Sequence, residues 1–180
     1  MSGWVRRGRG TWAGAAAGVL GLFLLLASVA ARADQTLARP TGPVILTVTG
    51  DIGVTNAPGR AEFDRAMLEA LGMKTVGTST SWTSGKHEFM GPLGKAVLAA
   101  VGAKGGTLSF VAVNDYKVQI SASDFEHYPA ILALKMDGEY MTVRTKGPLW
   151  VIYPRDEFPE LVTKANDAKW IWEVKSIDVH

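Results

Sequence analysis

None of the 180 residues of the chain is a cysteine, and this absence constrains the fold more than any single motif does. No disulfide can support the structure, so its stability has to come from the burial of apolar side chains. The same absence excludes thiolate nucleophiles and metal centres that depend on a protein thiolate. The chain has only three histidines, His87, His127 and His180, so a histidine-rich metal site is not expected either.

The first 33 residues have the pattern of a secretory signal peptide. Three arginines within residues 6–9 precede an apolar run over residues 13–30, and Ala31-Arg32-Ala33 supplies the small residues that signal peptidase requires. We therefore expect cleavage before Asp34 and an exported protein without a membrane span of its own. The alternative is an uncleaved anchor, although the run is close to the lower limit of ~17 residues for a spanning helix. The sequence leaves the export route, general or twin-arginine, open.

Removal of this leader leaves 147 residues, which is enough for one domain with a substantial core. The mature chain then has 15 basic and 17 acidic residues and a formal charge of −2, because four arginines belong to the leader. With no basic stripe left, neither a nucleic acid nor a membrane surface is an expected partner. We divide the chain into a signal peptide over 1–33, a linker over 34–43 and a single domain over 44–180.

Short apolar runs bounded by glycine, proline and asparagine dominate the domain and are typical of β-strands. The predicted strands, in chain order, are 44–49, 74–80, 107–113, 116–120, 131–136, 140–144, 148–153 and 170–179. Helices are predicted at 63–71, from Gly91-Pro92 to 101, for one turn capped by Ser123 with Glu126, and at 159–165. Because strands dominate and the helices are short, the predicted fold class is α+β with a mixed sheet.

Three polar–aromatic clusters lie in segments predicted to be loops or strand ends. They are Thr78-Ser79-Thr80-Ser81-Trp82-Thr83, Asn114-Asp115-Tyr116 and Arg144-Thr145-Lys146-Gly147-Pro148-Leu149-Trp150. No G-x-S-x-G, H-E-x-x-H or P-loop motif accompanies them. The sequence places no base beside Ser79 or Ser81, so a serine nucleophile is not expected.

The order of these clusters resembles the molybdopterin-binding domain of the sulfite oxidase fold. In that family a strand leads to a Cys-x-x-Gly-Trp segment, which is followed by a Gly-(Val)-Pro-Leu helix start and an Asp-Gly-Tyr turn. A Leu-Ala-x-x-x-Asn-Gly hairpin and a Gly-x-Pro-Leu-Arg strand come next. The similar segments of this chain are 78–82, 91–93, 114–116, 132–138 and 147–150. The resemblance extends over residues 44–179 and implies a sulfite oxidase-like fold, with a mixed sheet and short helices.

Two departures from the family pattern affect the expected chemistry. Thr78 stands where the family has its molybdenum-binding cysteine, and Trp150 stands where an arginine is common. A threonine cannot supply the thiolate that this class of centre needs, so neither molybdenum nor redox activity is expected. Other molybdenum enzymes use oxygen ligands from the protein. A molybdopterin-dependent oxidoreductase subunit with a non-cysteine ligand is therefore the alternative.

The resemblance implies that the retained pocket binds a pterin, in its reduced form, as a ligand. A carboxylate that faces the amino group and ring N–H of a pterin accepts a bidentate pair of hydrogen bonds, and Asp115 is the candidate. Trp82 is the candidate platform for the ring faces. Arg144 and Lys146 are candidate donors to the carbonyl edge or to ligand hydroxyls. The other residues of the predicted site are Thr78, Ser79, Thr80, Asn114, Tyr116 and Trp150.

The chain also resembles a narrower set within this fold, the small periplasmic, cysteine-less pterin-binding proteins that act as sensors. This resemblance implies a periplasmic location. It also implies a partner, namely the periplasmic domain of an inner-membrane cyclic-di-GMP synthase/phosphodiesterase of the GGDEF/EAL type. A third alternative is a protein-interaction module whose pocket is a relic.

Several candidate residues also have a purely structural interpretation, which the sequence leaves open. Trp82 and Trp150 have the character of core aromatics, and Asp115 is typical of a tight turn. Trp170 and Trp172 lie two residues apart, so they fall on one face of the last predicted strand and are expected to serve packing.

Overall fold

The computed structural model describes residues 36–180. The predicted signal peptide lies outside the described residues, as does the beginning of the predicted linker. The backbone N–H groups of Thr41 and Gly42, near the end of that linker, donate to the Asp64 carboxylate, each at 2.8 Å. Within residues 36–180, no helix has the length and apolar character that crossing a membrane requires.

The described chain consists of short strands with a few shorter helices between them. The strands are β1 Val44–Gly50, β2 Ala61–Asp64, β3 Met73–Ser79, β4 Lys86–Pro92, β5 Thr107–Ala112, β6 Lys117–Ser121, β7 Ile131–Ala133, β8 Lys135–Met136, β9 Glu139–Tyr140, β10 Trp150–Ile152 and β11 Val174–Val179. The α-helices are α1 Arg65–Ala70, α2 Gly94–Ala100, α3 Ala122–His127 and α4 Lys164–Asp167, and 3₁₀ turns cover Val143–Thr145 and Pro159–Leu161.

The larger sheet has five strands in the order β2–β1–β11–β5–β6. β1 runs parallel to the central strand β11, with Val48 opposite Ile177, and the other neighbours run antiparallel. Side chains alternate between the faces of a strand, and Leu46, Val48 and Ile177 are buried on the inner face. This mixed sheet with short helices confirms the predicted α+β class.

A second, antiparallel sheet has the order β3–β4–β8–β9, and β7 pairs with β10. The Leu134 N–H donates to the Met90 carbonyl at 2.8 Å and thereby joins the segment after β7 to β4. Every residue of β7 and β10 is buried, as the continuous apolar runs predict. β4 and β7 approach closely at Gly91, where a Cβ atom would lie 2.0 Å from the Leu132 carbonyl oxygen.

Two predicted helices begin later than their sequence patterns indicate. Phe63 belongs to β2, and Asp64 begins α1 as its N-cap by accepting a hydrogen bond from the Met67 N–H at 2.9 Å. The Gly91-Pro92 pair belongs to β4, so α2 starts at Gly94. In both places pairing with a neighbouring strand overrides the local helical pattern.

Further boundaries also differ from the prediction. The helix predicted over 159–165 is divided into the 3₁₀ turn Pro159–Leu161 and the separate helix α4. α3 is capped by Ser121, whose hydroxyl accepts the Ser123 N–H at 3.3 Å. The strand predicted over 140–144 ends at Tyr140, because a 3₁₀ turn follows. The last strand begins at Val174 instead of at position 170, and the left-handed backbone of Glu173 (φ 54°) interrupts extended structure just before it.

Candidate ligand-binding site

A cavity of about 310 Å³ lies where three loop segments of the described chain meet. The segments are the β3–β4 loop, the β5–β6 turn and the chain between α4 and β11. The lining residues are Trp82, Ala112, Asn114, Tyr116, Asp167, Ala168, Trp170, Ile171 and Trp172. The strands hold the three loops in place, so the cavity is built by tertiary structure and not by one local motif.

Tryptophan rings form the walls of this cavity. The Trp82 ring centroid lies 5.7 Å from that of Trp172 and 6.0 Å from that of Trp170. The indole N–H of the fully buried Trp150 donates to the Trp170 carbonyl at 3.0 Å and fixes the backbone behind the wall. Within the described residues the buried indole N–H of Trp170 has no hydrogen-bond partner. The cavity therefore presents flat, apolar surfaces of the kind that stack on a flat ligand.

Asp167 is the carboxylate among the lining residues, and neighbouring polar groups hold it in place. The Ser81 hydroxyl donates to its Oδ2 at 2.9 Å. Arg155 donates from Nη1 to the Ser81 hydroxyl at 2.8 Å and lies 3.5 Å from Asp167 Oδ1. α4, which Thr163 caps by accepting the Asn166 N–H at 3.2 Å, carries Asp167 as its last residue. The hydrogen bond from Ser81 thus orients the Asp167 carboxylate, while Oδ1 has only the long contact with Arg155.

Lys146 places a positive charge beside the Trp172 wall. Its Nζ lies 4.5 Å from the ring centroid of Trp172 and 5.5 Å from that of Trp150, within the distance of about 6 Å at which cation–π attraction acts. Arg144, the other predicted basic residue, is exposed in the preceding 3₁₀ turn. Trp150 is core, with its indole behind the cavity wall. Lys146 is not itself among the lining residues, but it is the basic candidate that the structure places next to a wall residue, Trp172.

Thr78, Ser79 and Thr80 are not among the lining residues and belong to a network at the end of β3. Ser79 donates from its hydroxyl and its N–H to Asp156 at 2.6 and 3.1 Å. The hydroxyl hydrogen bond lowers the pKa of Asp156. Thr80 accepts the Trp82 N–H at 3.0 Å. These side chains position the loop that carries Trp82.

The environment of Thr78 does not fit the metal centre of the fold family. The residue is fully buried. Its hydroxyl donates to the Ser79 carbonyl at 3.3 Å and accepts the Asp156 N–H at 3.4 Å. In the part of the chain that the structure describes, no three histidine, cysteine or acidic side chains come together as a possible metal site. The Thr78 hydroxyl oxygen, which would have to serve as the metal ligand, is therefore already hydrogen-bonded to backbone groups.

The β5–β6 turn separates its three predicted site residues. Asn114 and Tyr116 line the cavity, and Asn114 accepts the Tyr116 N–H at 3.1 Å. Asp115, with a left-handed backbone (φ 66°), is not among the lining residues. Its side chain is 80% exposed and pairs with Lys175 at 2.7 Å, and this hydrogen bond lowers the pKa of Asp115. The carboxylate that the structure places in the cavity is Asp167.

The sequence patterns miss several residues of this site. Ser81 belongs to a predicted cluster, but its contact with Asp167 bridges distant segments. Asp167 and Arg155 stand in ordinary polar stretches and give no local signal. The sequence predicts a packing role for Trp170 and Trp172; Trp170 does pack in the core, and both also line the cavity. Their spacing gave no valid signal, because the strand on which it would place them on one face begins only at Val174.

His87 ties the loop that carries Trp82 to the β8–β9 turn. Its Nδ1 lies 2.6 Å from Asp137 Oδ2, and its Nε2 lies 3.0 Å from the Ser84 carbonyl oxygen. A carboxylate and a carbonyl can only accept, so this geometry requires protons on both ring nitrogens. The hydrogen bond with Asp137 accordingly raises the pKa of His87.

Ser109, Asp178 and His180 meet on the outer face of the larger sheet, away from the cavity lining. His180 Nε2 lies 3.0 Å from the Ser109 hydroxyl and 3.3 Å from Asp178 Oδ2. A serine–histidine–aspartate relay needs the serine and the aspartate on different ring nitrogens. Because both contacts involve Nε2, this group does not have the geometry of a hydrolase triad.

The comparisons with known proteins concern the fold. No protein-family model matches the chain, and no curated protein does. Among solved structures, the chain is similar to the sulfane dehydrogenase SoxCD from Paracoccus pantotrophus, with a TM-score of 0.57 and 15% sequence identity. The match covers 81% of this chain and 40% of that chain, so this protein spans less than half of its neighbour's length. The likeness shows that the described domain has the sulfite oxidase-like fold that its motifs imply.

Proposed function

We propose that the protein is a periplasmic pterin-binding protein that acts as a ligand sensor and has no redox activity of its own. The observation that carries the proposal is the Asp167 carboxylate in a tryptophan-walled cavity of a sulfite oxidase-like fold. The ligand class is the one that the family resemblance implies, and Asp167 takes the anchoring role that was expected of Asp115.

The hydrogen-bonding edge of a pterin matches the surroundings of Asp167. A pterin has an amino group and a ring N–H side by side, and a carboxylate accepts both in a charge-assisted pair. Ser81 orients Asp167 through the contact at Oδ2. Oδ1 lies 3.5 Å from Arg155, longer than the ~2.7–2.9 Å of a strong charge-assisted bond. This oxygen therefore has capacity for a donor from the ligand.

The size and walls of the cavity suit a compact bicyclic ring. Small-molecule sites enclose about 300–1,000 Å³ and are mostly apolar with a few polar groups. The volume of about 310 Å³ is at the lower end of that range. Trp82 is half-buried, so one part of its ring faces the core and another part is open for stacking. Asn114 and Tyr116 add polar groups at the rim.

The signalling part of the proposal rests on the resemblance to periplasmic pterin sensors. The partner we propose is the periplasmic domain of an inner-membrane cyclic-di-GMP synthase/phosphodiesterase. Capture of that partner from membranes, with and without added tetrahydropterin, tests this part. Ligand-dependent capture supports a sensor, whereas capture that ignores the ligand supports the interaction-module alternative. Failure to capture the partner in either condition contradicts the proposed partnership.

The similarity to a sulfane dehydrogenase supports a second candidate, a molybdopterin-dependent oxidoreductase subunit with an oxygen ligand. The buried, backbone-bonded hydroxyl of Thr78 argues against it. Elemental analysis of the protein purified after export separates the two candidates. Stoichiometric molybdenum would overturn the pterin-sensor proposal, and its absence together with pterin binding would support it.

Intrinsic fluorescence gives a direct test of ligand stacking. Titration of the exported protein with tetrahydropterin is expected to give saturable tryptophan quenching, because the ring binds against Trp82. Trp82→Ala is expected to lose most of that change. A wild-type protein that shows no saturable change up to high micromolar tetrahydropterin contradicts the proposal.

A further inference from the structure

Residues with strained backbone conformations concentrate around the cavity. Four non-glycine residues of the described chain have a left-handed φ, namely Asp115, Asp137, Lys146 and Glu173. Asp115 lies between two lining residues, Glu173 directly follows the lining residue Trp172, and Lys146 contacts the Trp172 ring. A residue with a Cβ atom adopts this region at a cost. Such strain is found preferentially at functional sites.

The backbone around Lys146 is fixed by its neighbours. The Lys146 carbonyl accepts the Glu173 N–H at 3.1 Å, and the Gly147 N–H donates to the Thr142 carbonyl at 2.7 Å. Gly147 is closely packed, since a Cβ atom there would lie 2.3 Å from the Met141 carbonyl oxygen. The left-handed conformation at Lys146 (φ 71°) is thus imposed by the surrounding loop, and it sets the direction in which the side chain leaves the backbone.

The ammonium group of Lys146 has aromatic neighbours but no anionic one. Its Nζ lies 4.5 Å from the Trp172 centroid and 5.5 Å from the Trp150 centroid. Among residues 36–180, the ion pairs within 4.0 Å do not include Lys146, whereas Lys175 pairs with Asp115 at 2.7 Å. A half-buried cation is most stable when an anion accompanies it. An unpaired positive charge therefore lies next to Trp172, a wall residue of the cavity, although Lys146 is not itself among the lining residues.

We infer that Lys146 is a specificity-determining residue that selects pterins with an anionic substituent, a carboxylate or a phosphate ester. This inference rests on the proposed function. The ring is held by Asp167 and the tryptophans, and the ammonium of Lys146 binds the substituent. The observation that carries the inference is a strained, half-buried lysine that contacts the cavity wall and lacks a carboxylate partner.

Calorimetric titration with three related pterins tests the inference. The ligands are 6-hydroxymethylpterin, its phosphate ester and pterin-6-carboxylic acid, which share the ring and differ in charge. The wild-type protein is expected to bind the anionic ligands about tenfold more tightly than the neutral one, the effect of one charge-assisted hydrogen bond. The relative affinity of the two anionic ligands shows whether the site prefers a phosphate ester or a carboxylate as the substituent. Added salt is expected to reduce the preference.

Three variants separate charge recognition from structure. Lys146→Gln is expected to abolish the preference, and Lys146→Arg is expected to retain it. Lys146→Gly removes the charge but relieves the left-handed strain, so it is expected to lose the preference while raising the melting temperature. Lys175→Gln is the matched control, because that lysine is paired with Asp115, and it is expected to leave the preference unchanged.

The outcomes distinguish this inference from the proposed function. Equal binding of charged and neutral pterins by the wild-type protein would overturn the role of Lys146 and leave pterin binding intact. A preference that persists in both Lys146→Gln and Lys146→Gly would also overturn it. If no pterin binds to the wild-type protein, the proposed function fails and this inference fails with it.

Discussion

The Ser81 hydroxyl donates a hydrogen bond to Asp167 Oδ2 at 2.9 Å, across 86 positions of the sequence. This contact joins the β3–β4 loop, which carries Trp82, to the end of α4. It therefore connects the proposed stacking platform with the proposed anchoring carboxylate. Arg155 strengthens the connection by donating to the same hydroxyl at 2.8 Å.

Removal of the Ser81 hydroxyl tests this connection. Ser81→Ala leaves Asp167 without its closest donor, so we expect pterin affinity to fall by about threefold to tenfold, the effect of one hydrogen bond. Calorimetry provides the measurement. Ser84→Ala is the control in the same loop, because the side chain of Ser84 is exposed and its contact with His87 uses the backbone carbonyl. Equal losses in the two variants would contradict the role of Ser81.

The ring of Trp82 is expected to contribute through stacking. Trp82→Ala removes a face from the cavity, and we expect an affinity loss of about tenfold or more, since aromatic pairs contribute beyond their buried area. Trp82→Phe keeps a flat ring and is expected to recover part of the affinity. Circular dichroism of both variants monitors the fold. If Trp82→Ala binds as tightly as wild type, Trp82 is not part of the ligand site.

The pH dependence of stability is expected to reveal the His87–Asp137 pair. The pKa of His87 is raised in the folded protein. The contribution of His87 to folding stability is therefore complete below its unfolded-state pKa of 6.5 and is lost as the pH rises through its folded-state pKa. The hydrogen bond with His87 lowers the pKa of Asp137. The contribution of Asp137 to folding stability is therefore complete above its unfolded-state pKa of 3.8 and is lost as the pH falls through its folded-state pKa. The pair should contribute fully between pH 3.8 and 6.5.

Chemical denaturation at a series of pH values measures this contribution. We expect His87→Gln to reduce stability within that window and to have a smaller effect at pH values above the folded pKa of His87. His127→Gln serves as the control, because the His87 ring is the one that contacts Asp137. A His87→Gln effect that is the same at all pH values would contradict the assignment.

Asp64 is expected to be the most important helix cap of the domain. Its carboxylate accepts the Met67 N–H at 2.9 Å and the N–H groups of Thr41 and Gly42 at 2.8 Å each. The hydrogen bond from Met67 is the main cause of its lowered pKa. We expect Asp64→Ala to cost about 1–2 kcal/mol in urea unfolding. Asp64→Asn, which can still cap, is expected to cost less, and the Asp64→Ala cost should shrink as the pH falls through the folded pKa.

Sequence patterns within one segment predict those strands whose burial is visible in the composition of that segment. The β-branched run of β1 and the continuous apolar runs of β7 and β10 identify these strands, because β-branched residues favour extended backbone and strands buried on both faces are apolar throughout. β2 and β4 are missed, since their residues also fit a helix face or a helix start. Their strand character comes from pairing with β1 and β3, which a single segment does not encode.

The candidate site is less predictable than the fold for the same reason. Trp82, Asn114 and Tyr116 belong to clusters that the sequence singles out, and all three line the cavity. Asp115 has the right chemistry for a ligand contact, but its left-handed turn directs it to Lys175. Asp167 enters the site only because α4 packs near the β3–β4 loop, a tertiary arrangement without a local sequence signal.

Calorimetric titration of the exported protein and two aspartate variants with tetrahydropterin is the most direct test of pterin binding through Asp167. We expect saturable binding by the wild-type protein, a loss of about tenfold or more in Asp167→Asn, and unchanged affinity in Asp115→Ala. Absence of binding by the wild-type protein up to high micromolar tetrahydropterin, or a loss in Asp115→Ala with none in Asp167→Asn, would contradict this role of Asp167.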